Sequence, residues 1–269
     1  MPDDAVARAS SALRSFWDAS ALPPERRAYA EFQARRYPSI VRFLAESAPG
    51  PTTKTLDLGG GIGSLAVALR AAFGGSYEVA DFVPPSDAVR AAQASHGVAA
   101  WYPCDLTTRP ALASLPTDFD QILLVEVLEH LLVNPLLLFR EIRLHLKPGG
   151  RLFLTTPNVA RLGNRYRLLL GRSIQERGRY PRDGTGVYGH VVEYTRSELD
   201  RLLTEEHMRP VRARIVQQMP TRSVGAVKRL GVRILNRPLW RRWELGDDIL
   251  ALYERSETPL VGGAVPAMV

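Results

Sequence analysis

Three aspartates set behind apolar runs mark where this sequence can do chemistry. Asp57 stands two residues ahead of the first glycine in TLDLGGGIG (Thr55–Gly63), Asp81 closes YEVAD about 20 residues beyond that loop, and Asp105 sits in CDL after the next apolar run. The glycines lie between a short apolar stretch and a helical pattern, Ser64–Phe73. They let the backbone take positive φ and approach a ligand closely, beside the unpaired amides of the helix start. Two fingerprints overlap here. Gly61, Gly63 and Ala66 fit the dinucleotide pattern G-x-G-x-x-A, while Asp57, Gly59, Gly61 and Gly63 fit an acid-first variant. Spacing alone does not choose between them, but an acid ahead of the loop repels a pyrophosphate and attracts a cation such as the amino group of a methionine moiety. The loop therefore favours S-adenosylmethionine over NAD. Asp81, with Phe82 beside it, is placed to accept both ribose hydroxyls; that role serves either cofactor, and the bland alternative is a solvated strand-end acid. Asp105 can accept from the adenine amino group, with Leu106 offering a neighbouring backbone amide.

The elements that must hold these residues follow from the alternation of patterns. After the breaker cluster Pro49–Thr53, short apolar strands alternate with helices: strand 54–58, helix 64–73, strand 76–81, helix 85–95 and a strand near 98–102. Then come strand 120–125, a helix across 135–146, the turn KPGG at 147–150 and strand 151–156. Such alternation predicts an α/β fold, a Rossmann-like doubly wound sheet covered on both faces, with ligands beyond the carboxyl ends of its strands. Ahead of it, residues 4–20 and Ala28–Ser47 form a helical layer, the second stretch broken at Pro38. Behind it lie a Gly-, Arg- and Tyr-rich loop at 171–193, long enough to be a lid, and a helix capped by Thr195 with Glu198 at capping-box spacing. Strands at 210–218 and 248–254 flank a basic helix within 222–238. The division expected is a helical cap at 1–50, the catalytic domain at 51–255 with the lid and basic helix inside it, and a loose tail at 256–269.

Composition narrows the setting. Net charge is +7, yet Arg209–Arg242 holds ten Lys/Arg and no acid, and the rest is balanced at 25 basic against 28 acidic residues. The basic excess is thus local. Cys104 is the single cysteine, so no internal disulfide or cysteine-built zinc site exists, which fits a reducing, cytoplasmic compartment. The first residues lack a basic region followed by an apolar run, and no apolar stretch reaches the ~18 residues that span a bilayer.

LDLGGGIG, the Asp81 strand end, CDL, FDQILLVEVLEHL, LKPGGRLFLTTPN and GHVVEYTRSEL occur in an order that resembles class I S-adenosylmethionine-dependent methyltransferases. The likeness is closest to small-molecule enzymes similar to the ubiquinone-biosynthesis O-methyltransferases and the sugar and polyketide tailoring enzymes, and it covers roughly Lys54–His207. It implies a seven-stranded sheet with an antiparallel last strand, for which Asp248–Glu254 is the candidate. It also implies that Asp57 and the loop glycines line the methionine and ribose side, that Asp81 holds the ribose and that Asp105 reads adenine. Gly60 stands where cysteine is common, and Ala80 replaces a frequent glycine.

Methyl transfer from a sulfonium is an in-line displacement with a good leaving group, so the enzyme chiefly aligns and desolvates the acceptor. A base is needed only where the acceptor must lose a proton. His190, in GHVVEYT, is the preferred base and His130 the second candidate; a histidine tying the lid to the sheet is the alternative for His190. Glu126, Glu129 and His130 have the i, i+3, i+4 spacing that shares a helix face and that could hold a divalent metal. No metal is assigned, and Glu126 is given to the cofactor side. Nucleic acid is disfavoured as substrate: VEVLEH occupies the place of an Asn/Asp-Pro-Pro-Tyr motif, and Pro103-Cys104 is on the wrong loop for a cytosine-attacking thiol. In the basic segment, Val224, Val227, Leu230, Ile234 and Leu235 project to one side of a helix and Arg222, Arg229, Arg233 and Arg237 to the other, ahead of Trp240 and Trp243. This 222–243 stretch could serve as a solvated lid or homodimer helix, or meet an anionic membrane surface. The expectation is an S-adenosylmethionine-dependent methyltransferase acting on a small-molecule acceptor, most readily at oxygen. The alternatives are a non-catalytic cofactor-binding partner protein, N- or C-methylation, or an NAD-dependent oxidoreductase.

Overall fold

The structure, a computed structural model, describes residues 2–47, 49–175, 189–217 and 244–256. The basic stretch 222–243 and the tail 257–269 lie outside the described residues, as does 176–188 of the expected lid.

Three helices come first: α1 (Pro2–Ala19), α2 (Pro24–Ala34) and α3 (Tyr37–Ala45). In α1, Ala5, Ala9, Leu13 and Phe16 are buried at helical spacing. Pro38, expected to break a helix, instead opens α3 in its first turn, where a missing N–H is harmless. The break falls two to three residues earlier, at Arg35 and Arg36.

Seven strands then build one sheet: β1 (Lys54–Leu58), β2 (Ser76–Asp81), β3 (Val98–Pro103), β4 (Phe119–Val125), β5 (Leu146–Pro157), β6 (Met208–Val216) and β7 (Asp248–Arg255). Their order is β3-β2-β1-β4-β5-β7-β6. Parallel pairing runs from β3 to β5, and β7 lies antiparallel to both β5 and β6. The order reverses between β1 and β4, which opens a crevice at their carboxyl ends. Helices α4 (Ser64–Phe73), α5 (Asp87–Ser95), α6 (Pro135–His145), α7 (Leu162–Leu169) and α8 (Arg196–Glu205) complete the fold.

The strand period of two divides the core. On β4, Ile122 and Leu124 join one apolar cluster with α6 and α8, while Leu123 faces the other way into a cluster with α1, α3, α4 and α5. The N-terminal helices thus share the core of one sheet face. Trp17 Nε1 donates to Ser64 Oγ at 3.0 Å and ties α1 to the first turn of α4. Caps are where the residue types put them: Thr195 Oγ1 accepts from Glu198 N at 3.2 Å.

Two local expectations change. The stretch carrying Glu129 and His130 is a single 3-10 turn, Leu128–His130, and Glu126 precedes it with φ of 55°. The helical face assumed for Glu126, Glu129 and His130 therefore does not form. Helix α7, which no periodic pattern announced, follows β5 directly.

Candidate functional site

The glycine loop leaves β1 under close steric control. Gly59 has φ of 76°, and a Cβ there would stand 2.6 Å from Val127 Cγ2. A Cβ on Gly60 would come 2.6 Å from the Asp57 carboxyl, so a larger residue there has to displace that carboxyl. Gly61, at φ of 56°, has nothing among the described residues within 4 Å of its would-be Cβ. Its backbone faces open space. Gly63 caps α4 in the left-handed region with φ of 82°, a conformation that L side chains rarely adopt.

That open space is a cavity of about 590 Å³. Its floor comes from the strand ends, through Asp57, Gly59, Gly61, Asp81, Phe82 and Glu126; its roof comes from the N-terminal helices, through Leu22, Arg26, Tyr29, Gln33, Arg36 and Tyr37. Of the residues singled out in the sequence, Gly63, Asp105, Leu106, His130 and His190 are not in this lining.

Asp81 is held from both sides. Its Oδ2 accepts from Gly61 N at 2.8 Å and its Oδ1 from Val83 N at 2.9 Å, which fixes the carboxylate and leaves further lone pairs for a ligand. Asp57 is buried and its Oδ2 has no hydrogen-bond partner among the described residues. Burial, then the charge of Asp81, pushes its carboxyl up to about 7, although the Ala66 amide opposes the rise. An acid in that state gains most from a cationic ligand. Asp105 is exposed, and Oδ1 accepts from Thr107 N at 2.8 Å and Thr107 Oγ1 at 2.7 Å, bonds that hold its carboxyl below the usual range.

Arg36 was not foreseen. It sits at the turn between α2 and α3, is buried, donates from Nη1 to Gln33 Oε1 at 2.6 Å and stands 3.3 Å from Glu126 Oε2. Its Nε has no hydrogen-bond partner among the described residues. Glu126 Oε1 in turn accepts from Thr155 Oγ1 at 2.8 Å. A buried cation and a buried acid, each with an unpartnered polar atom, thus line one cavity. A zwitterionic amino-acid moiety fits that donor and acceptor set, and the glycine cradle admits an adenosyl group without a Cβ in the way.

Beyond Glu126 lies a second cluster. Glu129 is fully buried, its Oε2 accepts from Thr156 Oγ1 at 3.1 Å, and burial, then the Glu126 charge, holds its carboxyl well above the ordinary range. The backbone carbonyl of Glu129 accepts from Val191 N at 2.6 Å, which brings the 189–194 segment alongside. His190 Nδ1 donates to Glu193 Oε1 at 2.8 Å, and His130 Nδ1 donates to the Gly189 carbonyl at 3.2 Å. The two rings meet edge to face, 5.1 Å between centroids. Burial would raise the Glu193 carboxyl, but its bonds to His190 and Arg161 outweigh it and hold the group low. The structure therefore unites the two histidines that the sequence could only name separately. One ligand atom each from Glu129, His130 and His190 falls within 4.8 Å of the others, a set able to hold a cation, with Glu126 turned away to Arg36 and Thr155.

A family model described as a methyltransferase domain matches residues 29–207. No curated protein matches the sequence. Among solved structures, a chain of the complex between the Haloferax volcanii Trm112 methyltransferase activator and a methyltransferase is similar, with a TM-score of 0.57 at 14% identity over 92% of this chain and 98% of that one. A magnesium protoporphyrin IX methyltransferase from Synechocystis with bound SAH gives 0.53 at 17% identity, over 90% and 93%. An S-adenosylmethionine-dependent methyltransferase from Mesorhizobium loti gives 0.52 at 18% identity, over 82% and 98%. At these identities the structures speak for the fold, and the family match, which spans most of the chain, speaks for the chemistry: the chain belongs to the methyltransferase-domain family and is a class I enzyme that uses S-adenosylmethionine.

Proposed function

We propose that the protein transfers the methyl group of S-adenosylmethionine to an oxygen of a small-molecule acceptor. The observation that carries the reading is that Asp57 and Arg36, each buried and each with one polar atom (Oδ2 and Nε) unpartnered among the described residues, both line one cavity beside the glycine loop. In this reading Asp57 takes the ammonium of the methionine moiety and Arg36 its carboxylate. Asp81 accepts from the ribose, while Phe82, Asp105 and the Leu106 amide serve the adenine side. The cofactor supplies an activated methyl group; the chain supplies alignment, exclusion of water and a base. His190 is that base. Its Nδ1 proton is fixed by Glu193, so Nε2 is the nitrogen that receives the acceptor's hydroxyl proton, and the nearby carboxylate favours the imidazolium that results. His130 supports the same segment from the other side. A second reading has one specific observation behind it: both histidines donate Nδ1–H to oxygen acceptors, the arrangement that readies Nε2 for a cation held with Glu129.

Calorimetry and labelled-methyl transfer test this reading together. S-adenosylhomocysteine should bind and NAD should not, and a panel of hydroxylated metabolites should yield a methylated product. Thermal stabilisation by NAD alone would contradict the assignment. Activity that survives chelation would remove the cation reading and leave His190 as base.

A further inference from the structure

Helix α7 has no apolar partner among the described residues. Leu162, Tyr166, Leu168, Leu169 and Leu170 are all exposed, Leu169 by 84%, and Asn164 is the only buried residue of the helix. The helix is anchored by polar groups at its first turn: Asn164 Nδ2 donates to Val159 O at 2.9 Å, and Leu162 N to Leu245 O at 3.0 Å. Leaving a run of leucines in water is costly, since the hydrophobic gain of covering them scales with the apolar area removed. The charge of the segment indicates what covers them. From Val159 to Gln175 there are four arginines and no acid. Arg161 is bonded to Glu193 at 2.5 Å and Arg165 donates from Nε to the Ala160 carbonyl at 2.6 Å; Arg165, Arg167 and Arg172 are all exposed among the leucines. A partner for this surface must be apolar and anionic within one helical turn, and an anionic lipid surface is both: leucines enter the acyl boundary while arginines meet the headgroups and Tyr166 takes the interfacial level.

We propose that residues 162–172 dock the enzyme on an anionic membrane surface and that the acceptor reaches the site from there as an amphipathic, lipid-soluble molecule. The root of α7 leads to the chemistry. Arg161 and Asn164 both bond Glu193 Oε2, and Glu193 Oε1 holds His190, so the docking helix is one carboxylate away from the base. The docking half stands on α7 alone; the acceptor half rests on the methyltransferase reading above.

The test is sedimentation with vesicles of phosphatidylcholine alone or with roughly 30% phosphatidylserine. The wild-type chain should partition at least about tenfold more onto the anionic vesicles, and about 0.5 M salt should abolish the preference. Leu168→Ser with Leu169→Ser should lower the partition by about tenfold, and Leu169→Glu alone should act the same way, with S-adenosylhomocysteine affinity unchanged in both as the sign of an intact fold. Equal partition onto both vesicle types, or variants that sediment like the wild type, would overturn the docking proposal. So would a lipid-free dimer that either variant converts to monomer, because a second copy would then be what covers α7. The acceptor half fails separately if docking holds but methyl transfer prefers water-soluble over lipid-soluble hydroxylated acceptors.

Discussion

The cofactor cavity and the histidine cluster sit at the same edge of the sheet and are built by opposite rules. In the cavity, rigid strand ends and the α2–α3 turn hold Asp57 and Arg36 with polar atoms left unsatisfied, a costly state for buried groups that a ligand can relieve. In the cluster, most groups are already bonded: His190 to Glu193, Glu193 to Arg161, His130 to the Gly189 carbonyl and Glu129 Oε2 to Thr156, while Glu129 Oε1 is left without a partner among the described residues. The difference separates binding from positioning. On the reading proposed above, the cavity groups await a ligand, and the histidines proposed to move a proton are held in orientation by their own bonds.

Mutations should split along that line. The largest effect belongs to the cluster: His190→Ala should lower kcat by about 10²- to 10⁴-fold while the calorimetric affinity for S-adenosylhomocysteine stays within about twofold. Loss of both together would make His190 part of the cofactor site instead. Asp81→Ala should do the reverse. It removes the acceptor for Gly61 and Val83 as well as for the ribose, so affinity should fall by about 100-fold, consistent with the ~1.5–3 kcal/mol of a charged hydrogen bond. Arg36→Met should cost S-adenosylhomocysteine about tenfold in affinity and leave methylthioadenosine, which lacks the amino-acid moiety, unaffected. An equal loss for both ligands would return Arg36 to a structural role. Gly60→Ala should lower thermal stability modestly, by about 1–3 kcal/mol, as its Cβ drives into the Asp57 carboxyl.

The same contrast explains what could be read in the sequence. Helix α4 and strand β2 fall where the apolar runs put them, and the acid-glycine loop already carried its polarity, because these are local features of period, turn and charge. What escaped was long-range or locally irregular. Arg36 belongs to a helical layer with no motif, and only folding brings it to Glu126. The positive φ of Glu126 cancels the helical face that its spacing with Glu129 and His130 suggested. At Gly60, where cysteine is common in the family, only the folded chain brings the Asp57 carboxyl to 2.6 Å from the would-be Cβ. Helix α7 escaped because its leucines are exposed, so no buried face stamped a period on it.

Asp57 offers the most direct test. With its folded carboxyl near pH 7 against an ordinary value of 3.8, its contribution to the stability of the ligand-free protein is full below about pH 4 and is lost as pH rises through about 7. An ammonium-bearing ligand favours the ionised form, so binding must release a proton. Calorimetry of S-adenosylhomocysteine binding near neutral pH, in two buffers of different ionisation enthalpy, should show proton release and an affinity that climbs with pH up to about 7 and then levels, with both effects gone in Asp57→Asn. Binding without proton exchange and with a flat pH profile in the wild-type protein would contradict the assignment of Asp57 to the cationic end of the cofactor.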